Sequence, residues 1–124
     1  MQKLCVLFVE SSIGLRKELL SLIRSRYQCE LLVTVGSSQD AIEACKSLPP
    51  DLIIWDCPQG DSSDLEAISR VRGLDPDARI IVLSLYDTAE YRESIIKAGA
   101  DVFISKTASR DVLLDSVERF ISPQ

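Results

Sequence analysis

In Leu52-Ile53-Ile54-Trp55-Asp56, four consecutive apolar side chains run into one carboxylate, and Pro49, Pro50 and Asp51 bound the stretch upstream. An unbroken apolar run this short reads as a strand covered on both faces, because a strand with one wet face would alternate. Comparable runs occupy residues 4–9, 31–35, 80–83 and 102–104. Between them apolar residues recur at helical spacing: Leu15, Leu19, Leu22 and Ile23, then Ala41, Ile42 and Cys45, then Leu65, Ile68 and Val71. Tyr91, Ile95 and Ala98 continue the pattern, and Val112, Leu113, Val117 and Phe120 close it. Five β-then-α units result. Parallel strands need crossovers, and right-handed crossovers put helices on both sides of the sheet. The expected fold is therefore α/β, a doubly wound five-stranded parallel sheet, (βα)5.

Start and stop signals agree. Ser37 with Asp40 and Ser63 with Glu66 have capping-box spacing, in which side chains satisfy amide donors left over at a helix start. Gly99 stands where a left-handed residue would end the fourth helix. Pro49 and Pro50 stop the second helix, since proline disfavours helix in the residue before it. A length of 124 residues suits one core, so residues 1–124 are expected to form a single domain, with residues 121–124 as the possible start of a linker.

Composition narrows the function. The chain is 46% hydrophobic and 27% charged, with five Gly and five Pro, which is globular rather than disordered or fibrous. Nineteen acidic against fourteen basic residues leave a net charge of −5, a sign that repels phosphate backbones and anionic lipid; no direct nucleic-acid or membrane binding is expected. The run at 4–9 is too short for a bilayer span or a secretory core, so a cytoplasmic protein is the default. The absence of histidine excludes Ser-His-Asp hydrolysis, histidine-based zinc sites and phosphohistidine chemistry on this chain. Cys5, Cys29, Cys45 and Cys57 form no metal-type spacing and read as reduced core thiols, with Cys57 notable for its place beside Asp56.

Ligands of open α/β sheets bind outside the carboxyl ends of the strands. Those ends carry Glu10 and Ser11, Asp56, Ser84, and Ser105 with Lys106. Any one of these polar residues could simply mark a strand returning to water, but carboxylates, hydroxyl and amine converging on one mouth point to a site. Val9-Glu10-Ser11, the 51–56 strand ending in Asp56, Ile81-Val82-Leu83-Ser84 and Phe103-Ile104-Ser105-Lys106 together resemble the receiver domain of two-component response regulators, over essentially the whole chain. Asp75-Pro76-Asp77-Ala78-Arg79 and Ala98-Gly99-Ala100-Asp101 are similar to receivers that precede helix-turn-helix output domains of the LuxR/NarL kind.

The resemblance implies the flavodoxin-like strand order 2-1-3-4-5 and a set of roles. Asp56 would be the phosphoacceptor, Lys106 the ammonium that pairs with it and then with the phosphoryl group, and Ser84 and Phe103 the switch pair. Magnesium would be held by Glu10, Asp56 and the carbonyl of Pro58, with Ser11, which stands where the family has an acid, as a weak member. A histidine kinase or phosphotransfer protein would be the donor. A C-terminal DNA-binding output domain outside this chain and a homodimer through helix 4, strand 5 and helix 5 are the further partners implied. Such a domain is a phosphoacceptor rather than an enzyme in the usual sense, with at most self-catalysed phosphoryl transfer and dephosphorylation.

Three departures from the family pattern matter. Ser11 weakens the metal set, Cys57-Pro58-Gln59-Gly60-Asp61 replaces the common loop after the phosphoacceptor, and bulky Leu85 follows Ser84, where it should restrict access to Asp56. Asp61 and Asp64 read as solvated loop acids, Trp55 as a core residue, and Tyr86 and Tyr91 as flanking the start of the fourth helix on a partner surface. A degenerate, phosphorylation-independent receiver is the alternative. Ser11-Ser12-Ile13-Gly14 resembles, more faintly, a flavodoxin phosphate loop, which would imply a flavin-binding electron carrier. Neither nucleotide-binding glycine motif occurs.

Overall fold

The computed structural model describes residues 3–10, 12–57 and 62–122. Strand and helix alternate five times: β1 (Lys3–Val9), α1 (Ile13–Arg24), β2 (Gln28–Val35), α2 (Ser38–Ser47), β3 (Leu52–Asp56), α3 (Ser62–Leu74), β4 (Arg79–Ser84), α4 (Ala89–Ala98), β5 (Val102–Ser105) and α5 (Arg110–Ile121). All strand pairs are parallel and the sheet runs β2-β1-β3-β4-β5, as expected.

Alternation along each strand sorts side chains between two cores. Leu7, Ile53, Trp55, Ile80, Val82 and Phe103 pack with α2, α3 and α4 on one side, and Val6, Phe8, Ile54, Ile81, Leu83 and Ile104 pack with α1 and α5 on the other. Every residue of β3 is buried, which is why its sequence shows no polar alternation. Each of its isoleucines contributes about 1.5–3 kcal/mol through burial.

Register then sets the functional end. Val9 pairs with Trp55, Asp56 with Leu83, and Ser84 with Ser105, so the ends of the three central strands and β5 finish close together. Helix caps follow the chemistry expected of them. The Ser37 hydroxyl accepts from the Asp40 amide at 3.1 Å, and Thr88 and Ser109 cap α4 and α5 in the same way. Gly99 ends α4 at φ 130°, and its amide returns to the Ile96 carbonyl. A Cβ on this glycine would lie 2.8 Å from the Arg72 Cβ.

Several boundaries differ from the sequence reading. β2 starts at Gln28 because it is an edge strand, where polar Gln28, Glu30 and Thr34 can face water. α3 starts at Ser62, which places Ser63 inside the first turn rather than at the cap. Ile121 is fully buried at the end of α5, where its carbonyl accepts from the Tyr27 hydroxyl, so it is core and not linker. Val112 faces solvent, and Leu113, Val117 and Ile121 form the inward stripe of α5. Cys45 and Cys57 are buried as expected, whereas Cys5 and Cys29 are half-buried. None of the helices among the described residues is long and apolar enough to cross a membrane.

Candidate functional site

The last residue of β3 delivers Asp56 to the carboxyl end of the sheet, where its side chain is only 4% exposed. One residue past β5, Lys106 extends back over it, and its Nζ lies 2.9 Å from Asp56 Oδ2. The Lys106 amide donates to the Ser84 carbonyl at 2.8 Å, so the ladder between β4 and β5 continues far enough to fix the lysine's backbone. Ser84, fully buried, donates through its hydroxyl to the Cys57 carbonyl at 2.6 Å and accepts from the Tyr86 amide at 3.0 Å. Three of the expected site residues thus meet within one bond of each other or of a shared neighbour.

The second carboxylate oxygen distinguishes this cluster from a closed structural ion pair. Asp56 Oδ1 is buried and has no hydrogen-bond partner among the described residues. An ionised carboxylate oxygen out of water and without a donor is unfavourable unless a cation or donor completes it. Magnesium retains several waters and uses only one or two protein carboxylates, so Oδ1 suits a largely hydrated ion. Among the described residues no three Asp, Glu, Cys or His side chains gather to hold a metal.

Glu10, the first residue after β1, has φ 58°, in the left-handed region, and its amide donates to the Val35 carbonyl at 2.9 Å. A glutamate held there is strained, and such strain is often found beside functional sites. Glu10 also lines a cleft of about 440 Å³ between α2 and α3, with Ser37, Ser38, Asp64 and Arg70. Ser11, Pro58 and Asp61, named above for the metal set and its loop, lie outside the described residues.

The reading of Asp64 as a solvated acid is corrected. It belongs to the first turn of α3 and is buried, with Oδ1 accepting from the Ser38 hydroxyl at 2.6 Å and from the Trp55 indole at 3.4 Å. Trp55 is core, as expected, but also uses its polar edge. Burial first, and then the Asp64 carboxylate, push the Cys57 thiol far above its usual range, so it is no nucleophile. Cys45 is pushed up to about 11, chiefly by burial. Tyr91 is buried too, edge-on to Phe103 with ring centres 6.1 Å apart, and only Tyr86 of the two tyrosines faces solvent. Phe103 is already inside the core, with the Arg92 guanidinium 4.9 Å from its ring centre. Leu85 is exposed beside the mouth.

Sequence reasoning overlooked Asp87. Its Oδ2 accepts from the Ser105 hydroxyl at 2.7 Å and faces Thr107 Oγ1 at 3.4 Å, joining the β4–α4 loop to the end of β5. The available signal was two hydroxyls bracketing the lysine, which has meaning only once an acceptor is known to face them.

Comparison with known proteins agrees with this fold. The response regulator receiver domain family matches residues 6–118. A nitrate/nitrite response regulator homologue of Haemophilus influenzae is 29% identical over 94% of this chain and 56% of its own length. The chemotaxis protein CheY of Halobacterium salinarum is 27% identical over 90% of this chain and 92% of its own. The chain spans about half the length of several relatives it matches, the Haemophilus protein included. Among solved structures, the receiver domain of a NarL regulator from Mycobacterium tuberculosis superposes with a TM-score of 0.74 at 17% identity, covering 97% of both chains. A response regulator from Burkholderia pseudomallei, described with a phosphorylated aspartic acid and a calcium ion, superposes at 0.69 with 23% identity, over 97% of this chain and 72% of its own. With Asp56, Ser84 and Lys106 at the strand ends and the family match spanning nearly every element, the chain belongs to the receiver domains of two-component response regulators.

Proposed function

We propose that this receiver, one unit over residues 1–124, takes a phosphoryl group on Asp56 from a histidine kinase or phosphotransfer protein. The observation that carries the reading is a single carboxylate with one oxygen held by Lys106 at 2.9 Å and the other buried, with no donor among the described residues. Lys106 shifts from Oδ2 to the oxygens of the incoming group, and Oδ2 attacks phosphorus. The P–O bond forms as the donor's P–N bond breaks, and the imidazole leaves with the electron pair and takes a proton from solvent. Asp56 and the adjoining acid Glu10 are the side chains to hold magnesium, with the Pro58 carbonyl completing the set and Ser11 contributing weakly. Magnesium, when bound, neutralises charge on the transferring group.

Ser84 then exchanges its bond to the Cys57 carbonyl for a phosphoryl oxygen, which draws the β4–α4 loop toward the site. Phe103, inward and edge-on to Tyr91, holds the packed form of α4 and β5 that this movement favours. The surface of α4, β5 and α5 meets a second copy or an output domain. The length of the relatives and their LuxR/NarL character support a DNA-binding output module and a role in transcription. Return to the resting state follows by hydrolysis at Asp56, slowed by Leu85.

Intact-mass spectrometry after incubation with acetyl phosphate and magnesium tests this reading. One phosphoryl adduct is expected, mapped to Asp56, removed by hydroxylamine and absent in Asp56→Asn. No adduct at any magnesium concentration, nor with a kinase, would leave the phosphorylation-independent receiver as the function.

A further inference from the structure

We propose that Asp87 is a positioning residue for Lys106. Of the two residues on either side of this lysine, Ser105 donates its hydroxyl proton to Asp87 Oδ2 at 2.7 Å, and Thr107, whose Oγ1 stands 3.4 Å from the same oxygen, is linked to it through Ser105. With the Ser105 proton on Asp87, the Thr107 hydroxyl is the donor of the 2.6 Å bond to Ser105 Oγ, and the Thr107 amide donates to the same oxygen at 3.1 Å. A charged acceptor makes such bonds shorter and stronger than neutral ones. The segment carrying Lys106 is thus tied to Asp87 directly through Ser105 and in relay through Thr107, while its own amide is tied to Ser84. Four flexible carbons separate the lysine backbone from its ammonium, so a fixed backbone determines how often Nζ reaches Asp56.

The clamp spans two moving parts. Asp87 lies three residues after Ser84 in the same loop, directly before the Thr88 cap of α4, and Arg92 of α4 stands 3.8 Å from the same oxygen while covering Phe103. A shift of Ser84 toward a phosphoryl group therefore pulls on the acceptor that holds Lys106. The inference rests on Lys106 serving Asp56 as described above, but the clamp has a readout that needs no phosphoryl transfer.

Amine acetylation of the full chain, read by peptide mass spectrometry, measures that readout, with the 77%-exposed Lys97 as internal reference. Asp87→Ala is expected to raise Lys106 labelling about fivefold relative to Lys97, and Asp87→Asn, which keeps an acceptor oxygen, to fall between alanine and the parent. In a Ser105→Ala/Thr107→Val background Asp87→Ala is expected to add nothing. Unchanged Lys106 labelling in folded Asp87→Ala overturns the proposal, as does an undiminished effect in the hydroxyl-free background. Phosphoryl uptake from acetyl phosphate should slow about tenfold in Asp87→Ala, because small misplacements of a positioned charge lower rates strongly. Uptake slowed less than about twofold, against raised labelling, also overturns it. A parent chain that takes up no phosphoryl group defeats the phosphoacceptor reading instead, and the labelling comparison then decides the clamp by itself.

Discussion

At the amino end of the sheet polar side chains turn mostly to the backbone, and at the carboxyl end an acid–amine pair and an acid–hydroxyl cluster stand beside such bonds. Arg72 donates to the carbonyls of Gly99 at 2.9 Å, Pro76 at 3.0 Å and Ala78 at 2.6 Å, and pairs with Asp101 at 2.9 Å. Asp101 accepts the Ile80 amide, Asp51 accepts the Cys5 amide, and Arg79 reaches the Phe120 carbonyl. Around Asp56, by contrast, Lys106 pairs with Asp56, Asp87 meets Ser105 and Thr107, and the Ser84 hydroxyl rests on the Cys57 carbonyl, bonds that a charged newcomer can redistribute. One end is a fixture and the other a set of exchangeable contacts, which is what a switch mounted on a rigid sheet requires.

Removing Arg72 should give the largest effect. Arg72→Ala leaves several half-buried carbonyls without donors, and a loss of about 3 kcal/mol in urea unfolding is expected. A loss under about 1 kcal/mol would mean that water replaces the guanidinium and that the amino end is no fixture. Lys106→Ala should follow, at about 2 kcal/mol, because it leaves the buried Asp56 carboxyl without its ammonium partner. The lysine is itself 22% exposed, which keeps the figure below that of a fully buried pair. Adding Asp56→Asn should recover most of the loss. If the double variant stays as unstable as the single one, the lysine acts by packing rather than by charge.

Asp75 gives the smallest effect. It is buried at the amino end with Oδ2 unpartnered among the described residues, and burial first, then the Asp77 carboxylate, raises its pKa. A carboxyl with a raised folded pKa binds its proton more tightly in the native state, so its charged form lowers stability above that pKa. Asp75→Asn is therefore expected to stabilise by about 0.5 kcal/mol at pH 7. The gain should shrink as the pH falls through the raised value and vanish below the ordinary 3.8. A gain independent of pH would assign the effect to shape rather than charge.

The rigid parts of this molecule were readable in the sequence and the exchangeable parts less so. Apolar runs at β1, β3 and β4 announce themselves because both faces are covered, and Asp56 and Lys106 stand out because a charge ends an otherwise apolar strand. β2 was read three residues short, since an edge strand tolerates Gln28 and Glu30, which look like loop. Asp64 was misread because its burial depends on a serine of α2 and an indole of β3, far apart in the chain. Asp87 was overlooked for the same reason: its partners lie 18 and 20 residues away. Periodicity reports burial, but it does not say which hydroxyl meets which acid.

The close approach at Gly99 sets a constraint on how this chain can vary. With φ 130° and the Arg72 Cβ 2.8 Å from where its own would stand, position 99 is closed to every residue that has a side chain. Shortening Arg72 would not open it, because the obstructing atom is the Cβ that all alternatives except glycine share. Position 99 is therefore held to glycine whichever side chain stands at position 72, and sequence drift, or an engineer's library, has to work around it.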